Sequence, residues 1–323
     1  MENALTIPPN VSRLPALSER AREYVAASRS ARTRKLYADA WQEFQFFCSQ
    51  HGYAELPATP ATVIDFITAL AQRQRVNTLQ IKLAAIAFHH RGRELPSPTE
   101  SESVKLVMTG IKRTHGIAVR QKAWLSRAEL ARMIQALPND LRASRDRAIL
   151  LLGYAGAFRR SELATLDVED VRIMDAEMIV AVRRSKTDQE GRGAKKRIPM
   201  LDDETLCPVR AVRAWLDASA LESGALFRAI DRWGHVRSER ITDKVIALVV
   251  KDAAKRAGLE SRQFAGHSLR AGFVTQAFRD GVPEWQIIEV TGHSPKSGVV
   301  RQYNRAASEG QISAIRRVME HPQ

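Results

Sequence analysis

The sequence has little cysteine and no long hydrophobic run, and each shortage excludes a class of protein. Only two cysteines occur in 323 residues, Cys48 and Cys207, which excludes a disulfide framework and a cysteine-built zinc site. The longest apolar stretch, residues 148–154, is far shorter than the roughly 18–20 residues that a membrane span needs. The first residues include an acidic side chain and no apolar signal-peptide core. We therefore expect a protein of the reducing cytoplasm.

Negative charge is also scarce relative to positive charge. Lys and Arg total 50 against 36 for Asp and Glu, which gives a net charge of +14. A surplus of this size favours a polyanionic partner, because each phosphate contact releases counterions. A basic protein with no such partner stays open as an alternative from charge alone. Hydrophobic residues make up 44% of the chain, which is enough to build the cores of two domains.

Apolar periodicity predicts a helical first domain. Residues 1–15 contain three prolines and little pattern, so we expect a flexible tail there. Residues 16–113 read as helices, because apolar side chains recur at helical spacing. One such face is formed by Leu36, Ala40, Phe44 and Phe47. Residues 114–122 are polar and basic without apolar rhythm, which predicts an interdomain linker.

Residues 123–323 predict a second domain that mixes helices and strands. Segment 146–157 is apolar on all sides, as in a buried helix. Residues 177–184 read as a strand, and residues 196–200 can return as its partner after a glycine-containing turn. Further helices are predicted at 208–218, 242–257, 268–279 and 284–291. The predicted fold class is mainly α with a small antiparallel β-sheet.

The second half of the chain carries side chains that suit attack on a phosphodiester. Tyr303 offers a phenol hydroxyl as nucleophile. Arg159 and Arg270 offer guanidinium groups that match phosphate geometry and stay charged. His267 precedes Arg270 by three residues, so both share a face if a helix begins there, and histidine exchanges protons near neutral pH. Lys186 could protonate a departing alkoxide if its pKa is lowered.

Each of these residues has an ordinary structural alternative when it is taken alone. A single tyrosine such as Tyr303 in a polar segment is usually an amphipathic surface residue. His267 and His293 alone are more often packed or capping residues. Arg159 and Glu162 could form a helix-surface pair, worth only about 0.3–0.5 kcal/mol. The prediction therefore depends on the order and spacing of the whole set.

That order resembles the tyrosine recombinases, also called phage-type integrases. The matching motifs are Arg159-x-x-Glu162-Leu, a lysine on a β-hairpin, His267-x-x-Arg270, Gly292-His293 and then Tyr303. The resemblance covers nearly the whole chain, and the set is highly specific. The first half, above all residues 90–108, resembles the helical core-binding domain of the Cre-like branch. One departure is the gap from His293 to Tyr303, which is one residue longer than usual in the family.

The resemblance implies a fold and a first group of roles. A helical core-binding domain and a mixed α+β catalytic domain would close around DNA as a C-shaped clamp. Tyr303 would attack the scissile phosphate, form a 3′-phosphotyrosyl link and free a 5′-hydroxyl. Arg159 and Arg270 would hold the non-bridging oxygens. His267 would act as general base toward Tyr303 or support the transition state.

A second group of roles completes the implied mechanism. Lys186 would be the general acid for the 5′-oxygen, and His293 would hydrogen-bond the phosphate. Glu162 would buttress the site from behind. No metal, cofactor or nucleotide is implied, because the covalent link conserves the bond energy for rejoining. Strands would be exchanged between two duplexes through a Holliday junction.

The resemblance also implies a DNA-reading surface and an assembly. By position, six side chains would face DNA: Arg34, Lys35, Asn77, Gln80, Arg240 and Lys244. Asn and Gln suit adenine edges and Arg suits guanine, while phosphate contact or exposure to solvent stays open as the alternative. An apolar stripe of Ile312, Ile315 and Met319 would dock on a neighbouring protomer, or else fold back on its own domain. The implied partners are double-stranded DNA with an inverted-repeat site and three further copies in a homotetramer, with no membrane and no small-molecule substrate.

Two other functions compete with site-specific recombination. A type IB topoisomerase shares this chemistry and would relax supercoils as a monomer without a defined site. The apolar stripe and the Cre-like first half argue against it. A DNA-binding protein with an idle site is the other alternative. The presence of Tyr303, Arg159, Arg270 and Lys186 together argues against that.

Overall fold

The chain divides into two compact units, residues 1–120 and 121–323. The computed structural model describes five ranges: 18–20, 23–24, 28–116, 123–183 and 193–292. Within these ranges, no helix combines the length and the apolar composition that crossing a membrane requires.

The first unit is helical throughout its described part, as predicted. Its elements are α1 (Ala31–His51), α2 (Pro60–Ala71), α3 (Val76–Arg91), a 3₁₀ turn (Pro98–Glu100) and α4 (Glu102–His115). Helix α1 packs against α3, and α2 packs against α4. The aromatic rings of Phe44 and Phe66 meet edge to face in the core, with their centroids 5.1 Å apart.

Local capping chemistry fixes the helix ends of this unit. The Ser30 hydroxyl accepts a hydrogen bond from the backbone at the start of α1, and Thr59 does the same at the start of α2. Gly52 ends α1 with φ 69°, a conformation that glycine adopts without strain. Helix α4 continues through His115, so residues 114 and 115, which we expected in a linker, belong to a helix.

The buried face of α1 is rotated relative to the predicted one. Ala40 and Phe44 are buried as predicted, but Leu36 is 43% exposed. Trp41 and Cys48 are buried instead. Trp41 follows Ala40 directly, and Cys48 lies one helical turn beyond Phe44. The buried face of α1 is therefore centred closer to Trp41 than predicted, and Leu36 lies outside it.

The second unit combines helices with two small antiparallel sheets, which confirms the predicted fold class. The helices are α5 (Arg127–Gln135), α6 (Leu141–Ala155), α7 (Arg160–Thr165), α8 (Pro208–Ser219), α9 (Asp243–Arg256), α10 (Gly266–Arg279) and α11 (Glu284–Thr291), with 3₁₀ turns at Val168–Asp170 and Ser261–Gln263. The strands are β1 (Val171–Ile173), β2 (Glu177–Val182), β3 (Ala194–Pro199), β4 (Arg228–Ile230) and β5 (Val236–Arg240). The sheets have the orders β1-β2-β3 and β4-β5.

Helix α6 lies at the centre of this unit. Residues 148–152 are all at most 2% exposed, which confirms that this part of the helix is buried on all sides. It packs against α8 and α10. Gly272 allows α10 to lie close to the backbone of Leu125, since a Cβ at position 272 would lie 2.1 Å from the carbonyl oxygen of Leu125. A buried central helix gives the residues just after its end a rigid support.

The predicted hairpin is present, with Val180 of β2 opposite Lys196 of β3. Met178, Val180 and Val182 are buried on one face of β2, and Ile198 is buried on β3. Strands β1, β4 and β5 were not predicted. The first two have three residues each, which is too short for alternation to be visible in sequence.

Candidate active site

A sharp turn after α6 presents the first predicted arginine. Helix α6 ends at Ala155, and Ala157 then adopts φ 47°, a left-handed conformation that is uncommon outside glycine. At Gly156 a Cβ would lie 2.2 Å from the Phe158 ring, so only glycine allows the ring to fold back there. The turn places Arg159 at the N-cap of α7.

Arg159 is paired with Glu162 inside the protein. Its Nη1 donates to Oε1 of Glu162 at 2.5 Å, and its backbone N–H donates to Oε2 at 2.9 Å. Glu162 is only 4% exposed. The alternative of a surface helix pair is therefore wrong. A single carboxylate fixes both the side chain and the main chain of Arg159.

Arg160 points to a different partner. Its Nη2 lies 3.7 Å from Oδ2 of Asp243 at the start of α9. Its side chain fills the space next to Gly266, where a Cβ would lie 2.1 Å from the Arg160 Cδ. From the sequence alone, Arg159 could be distinguished from the adjacent Arg160 only by its spacing to Glu162. The geometry favours Arg159 as the member that faces the candidate site.

Arg270 is held between two backbone segments. It lies in the first turns of α10 and is 1% exposed. Its Nη1 donates to the Ala157 carbonyl at 2.7 Å, and its Nη2 donates to the Thr291 carbonyl at 2.8 Å. A guanidinium group held through two of its nitrogen atoms has a fixed plane, which is what bidentate recognition of an oxyanion requires.

His267 begins the same helix in a cationic environment. Burial lowers its pKa below the usual value of 6.5, and Arg270, Arg160 and Arg159 lower the pKa further. These charges place His267 with both predicted arginines. The lowered pKa favours the neutral imidazole, which is the form that accepts a proton.

Lys196 is a site residue that we did not predict. Its Nζ donates to the carbonyl of Gly156 at 2.7 Å and also to the carbonyl of Val290. It lies 5.0 Å from the centroid of the Phe158 ring. The sequence pattern predicts residues 196–200 only as a partner strand. The alternation of β3 could have indicated that Lys196 points inward. Lys196 is two residues from buried Ile198 and therefore lies on the same face of the strand.

The electrostatics of Lys196 confirm that it belongs with the same cluster. Burial lowers its pKa from 10.5 to about 8. Glu162 raises the pKa, while Arg270 and Arg159 lower it. Four charged groups, three of them cationic, therefore influence one another here. Such an excess of positive charge suits a phosphate anion.

Three predicted catalytic residues lie outside the described residues: Lys186, His293 and Tyr303. The C-terminal stripe of Ile312, Ile315 and Met319 also lies outside them. Helix α11 ends at Thr291, and Gly292 caps it with φ 65°. The described chain thus leads to His293 directly from the turn that Arg270 contacts.

The predicted DNA-facing residues of the first unit lie at its surface. Lys35 on α1 and Asn77 and Gln80 on α3 are exposed, and Arg34 is half-buried. Lys244 in the first turn of α9 is exposed in the second unit. Their exposure is compatible with DNA contact, which stays a prediction.

Arg240 has a different environment from the other five. It ends strand β5 instead of lying on a helix. Its Nη1 donates to the carbonyls of Ala164 and Leu166 at 3.1 and 2.7 Å, and its Nη2 pairs with Asp167. These contacts use the guanidinium to join β5 to the end of α7. The guanidinium of Arg240 is therefore already engaged within its own domain, and a DNA contact by Arg240 stays a prediction.

A cavity of about 860 Å³ adjoins the Lys196 side of the cluster. Its wall includes the apolar or aromatic side chains of Tyr154, Ile198, Leu206 and Phe273. Neither Arg159 nor His267 lines it, so it is separate from the candidate phosphate site. Within the described ranges, no group of three or more histidine, cysteine or acidic side chains is arranged to hold a metal ion.

Comparison with known proteins assigns the chain to a family. Residues 123–309 match the model of the phage integrase family. An integrase/recombinase XerD homolog of Selenomonas ruminantium is 35% identical over 88% of this chain and 85% of its own length. The recombinase Cre of Escherichia phage P1 is 24% identical over 99% of both chains. The chain therefore belongs to the phage integrase family.

Solved structures share the fold at low sequence identity. A lambda integrase dimer bound to a COC′ core site has a TM-score of 0.59 and 17% identity, over 87% of this chain and 92% of that one. A lambda integrase tetramer bound to a Holliday junction has a TM-score of 0.60 and 16% identity, over 90% and 77%. At these identities the likeness establishes the fold.

Proposed function

We propose that the cluster of Arg159, Glu162, His267 and Arg270 binds a DNA phosphate during strand cleavage by Tyr303. The protein is a tyrosine recombinase, an enzyme that cleaves DNA strands and rejoins them at specific sites. The observation that carries the catalytic proposal is two arginines, each fixed by hydrogen bonds inside the protein, together with a histidine whose pKa they lower. This combination supplies charge stabilisation and a base without a metal ion.

The two arginines divide the work of holding the phosphate. Arg159 is oriented by the Glu162 carboxylate, and Arg270 is oriented by two backbone carbonyls. Each guanidinium places N–H donors toward non-bridging oxygens, where negative charge develops in the transition state. Because their positions are fixed before DNA binds, little reorganisation is needed when the reaction occurs.

Proton transfers accompany the bond changes at phosphorus. The Tyr303 hydroxyl oxygen bonds to phosphorus and its proton passes to neutral His267. The bond from phosphorus to the 5′-oxygen breaks, and Lys186 gives that oxygen a proton. His293 hydrogen-bonds the phosphate. The product is a 3′-phosphotyrosyl link, whose bond energy is retained for rejoining, so no cofactor is required.

DNA contact extends over both units in this proposal. The net charge of +14 favours binding to the phosphate backbone. Lys35, Asn77 and Gln80 are exposed, as is Lys244, and we assign them to the DNA surface together with Arg34. A cytoplasmic location follows as part of this proposal.

The finer assembly is a homotetramer on two inverted-repeat sites that exchanges strands through a Holliday junction. Support comes from the C-terminal stripe of Ile312, Ile315 and Met319, which would dock on a neighbouring protomer. The cavity whose wall includes Tyr154 and Phe273 offers that stripe a partly apolar surface. The tetrameric lambda integrase complex has a related fold.

Covalent trapping tests whether Tyr303 is the nucleophile and, in the same experiment, identifies the DNA site. The full-length protein is incubated with nicked fragments of the DNA of its source, and covalent protein–DNA adducts are isolated and their ends sequenced. We expect adducts at one recurrent sequence. Tyr303→Phe should form none, because the variant lacks the attacking oxygen.

Tyr24→Phe is the matched control, since Tyr24 is exposed in the other unit and should form adducts like the wild type. Adducts with Tyr303→Phe would refute the assignment of the nucleophile. Relaxation of arbitrary plasmids with no preferred sequence would favour the topoisomerase alternative. Tight DNA binding with no adduct from any fragment would favour an idle DNA-binding protein.

A further inference from the structure

Lys196 makes three contacts with the two segments that frame the candidate active site. Its ammonium donates to the carbonyls of Gly156 and Val290 and lies over the Phe158 ring. Gly156 and Phe158 belong to the turn that delivers Arg159. Val290 belongs to the last turn of α11. One side chain from β3 therefore joins the chain before Arg159 to the chain before His293.

Arg270 bridges the same two segments one residue further along each. It donates to the carbonyls of Ala157 and Thr291. The two cations thus form parallel links between residues 156–157 and residues 290–291. Ala157 has φ 47°, a strained conformation that persists only where surrounding contacts hold it. Lys196 and Arg270 supply such contacts on either side of the strained peptide.

We propose that Lys196 is a positioning residue for strand cleavage, whose ammonium fixes the Arg159 turn relative to the end of α11. This inference rests on the proposed function, because it acts through Arg159 and through the segment that leads to His293. It assigns Lys196 a role different from that of Lys186, which would give a proton to the leaving oxygen.

The charge of Lys196 argues against a purely packing role. The residue shares the inward face of β3 with Ile198 and lies opposite Val180, so an apolar side chain would suit this position. An ammonium beside Arg159 and Arg270 is unfavourable, and among the described residues Glu162 is the carboxylate that offsets it. Keeping a charge in such a place is typical of functional sites. The two carbonyl bonds are charge-assisted, which makes them stronger than neutral ones.

Deprotonation should therefore weaken the link. In the described part of the chain, the charged groups that shift the pKa of Lys196 are Glu162 and Arg159 from α7 and its N-cap, and Arg270 from α10. With a pKa of about 8, the ammonium dominates at neutral pH and is lost in mildly alkaline solution. The neutral amine still donates hydrogen bonds but without charge assistance. Cleavage should slow as the pH rises through this range.

The test uses a nicked duplex that contains the site found by covalent trapping. One version has the normal phosphate, and the other has sulfur in place of the bridging 5′-oxygen. Sulfur leaves as a thiolate and needs no proton, so it removes the requirement for a general acid. We expect Lys196→Gln to slow adduct formation by about tenfold or more on both duplexes. Lys186→Gln should be slow only on the oxygen version.

Lys195→Gln is the matched control, because Lys195 is the adjacent, exposed lysine of β3 and the same charge is removed. It should react within about twofold of the wild type. Lys196→Arg keeps the charge at every pH and should lack the alkaline decline of the wild type. A Lys196→Gln protein as fast as Lys195→Gln would overturn the proposal. Rescue of Lys196→Gln by sulfur would also overturn it, because that identifies a proton donor.

A second measurement uses the wild-type protein without DNA, so it does not depend on whether a variant folds. Hydrogen exchange of the wild-type protein is followed at pH 7 and pH 9, with rates corrected for intrinsic exchange. Peptides covering residues 153–160 and 284–292 should lose protection by roughly fivefold or more at the higher pH, while α8 stays unchanged. Equal protection at both pH values would overturn the proposal even if the recombinase assignment stands. Absence of adducts with wild-type protein would instead count against the proposed function alone.

Discussion

Replacing Glu162 with glutamine tests whether the carboxylate is the support on which the arginine site depends. The substitution keeps the shape of the side chain and removes its charge. Glu162 is 4% exposed and is bonded to both the side chain and the backbone N–H of Arg159. Without it, Arg159, Arg270 and Lys196 lose the carboxylate that offsets their mutual repulsion. We therefore expect a clear loss of stability in the second unit.

The size of the loss follows from the burial of the pair. Removing one partner of a buried ion pair costs about 3–5 kcal/mol. The Arg159 side chain is 18% exposed and can regain some hydration, so we expect the lower end, about 3 kcal/mol. For a unit of this length, residues 121–323, that corresponds to a fall in Tm of about 6–12 °C.

Pulsed hydrogen exchange across a urea series measures this effect in the full-length protein. Peptides from α6 and α8 report the second unit separately from the first. Glu222→Gln is the control, since Glu222 is an exposed glutamate in the same unit and should change the free energy of unfolding by less than about 0.5 kcal/mol. If Glu162→Gln is no less stable than Glu222→Gln, the carboxylate is not the electrostatic support described above.

Two further predictions concern the base and the packing of α10. Because burial and the arginines lower the pKa of His267 below 6.5, the decline in the rate of adduct formation on acidification should have its midpoint below pH 6.5. A decline centred at or above pH 6.5 that His267→Gln removes would contradict this. Gly272→Ala should destabilise the protein by about 1–3 kcal/mol, because its Cβ would lie 2.1 Å from the Leu125 carbonyl oxygen. Gly110→Ala, with nothing within 4 Å, should gain about 0.5–1 kcal/mol in urea unfolding, and equal stability of the two variants would refute the packing argument.

Much of the fold was readable from sequence because its signals are local. The capping box at Ser126 and Glu129 is present as the spacing indicates, since both hydrogen bonds join residues within one turn. The helix at Glu284–Thr291 has its predicted bounds. Strand β4 was missed because three residues show no alternation. Leu36 was wrongly predicted to be buried, because helical periodicity indicates an apolar face but not which edge of that face contacts a neighbouring helix.

The sequence by itself determined the helical and hairpin pattern, the basic character and the order of the motif residues, because each depends on composition or on neighbours along the chain. Only the tertiary structure decided that Arg240 is bound within its own domain and that Lys196 joins two distant segments. The physical reason is that these contacts link residues far apart in sequence. Most of their partners are backbone carbonyls, and every residue has such a carbonyl, so no sequence motif records which one will be used.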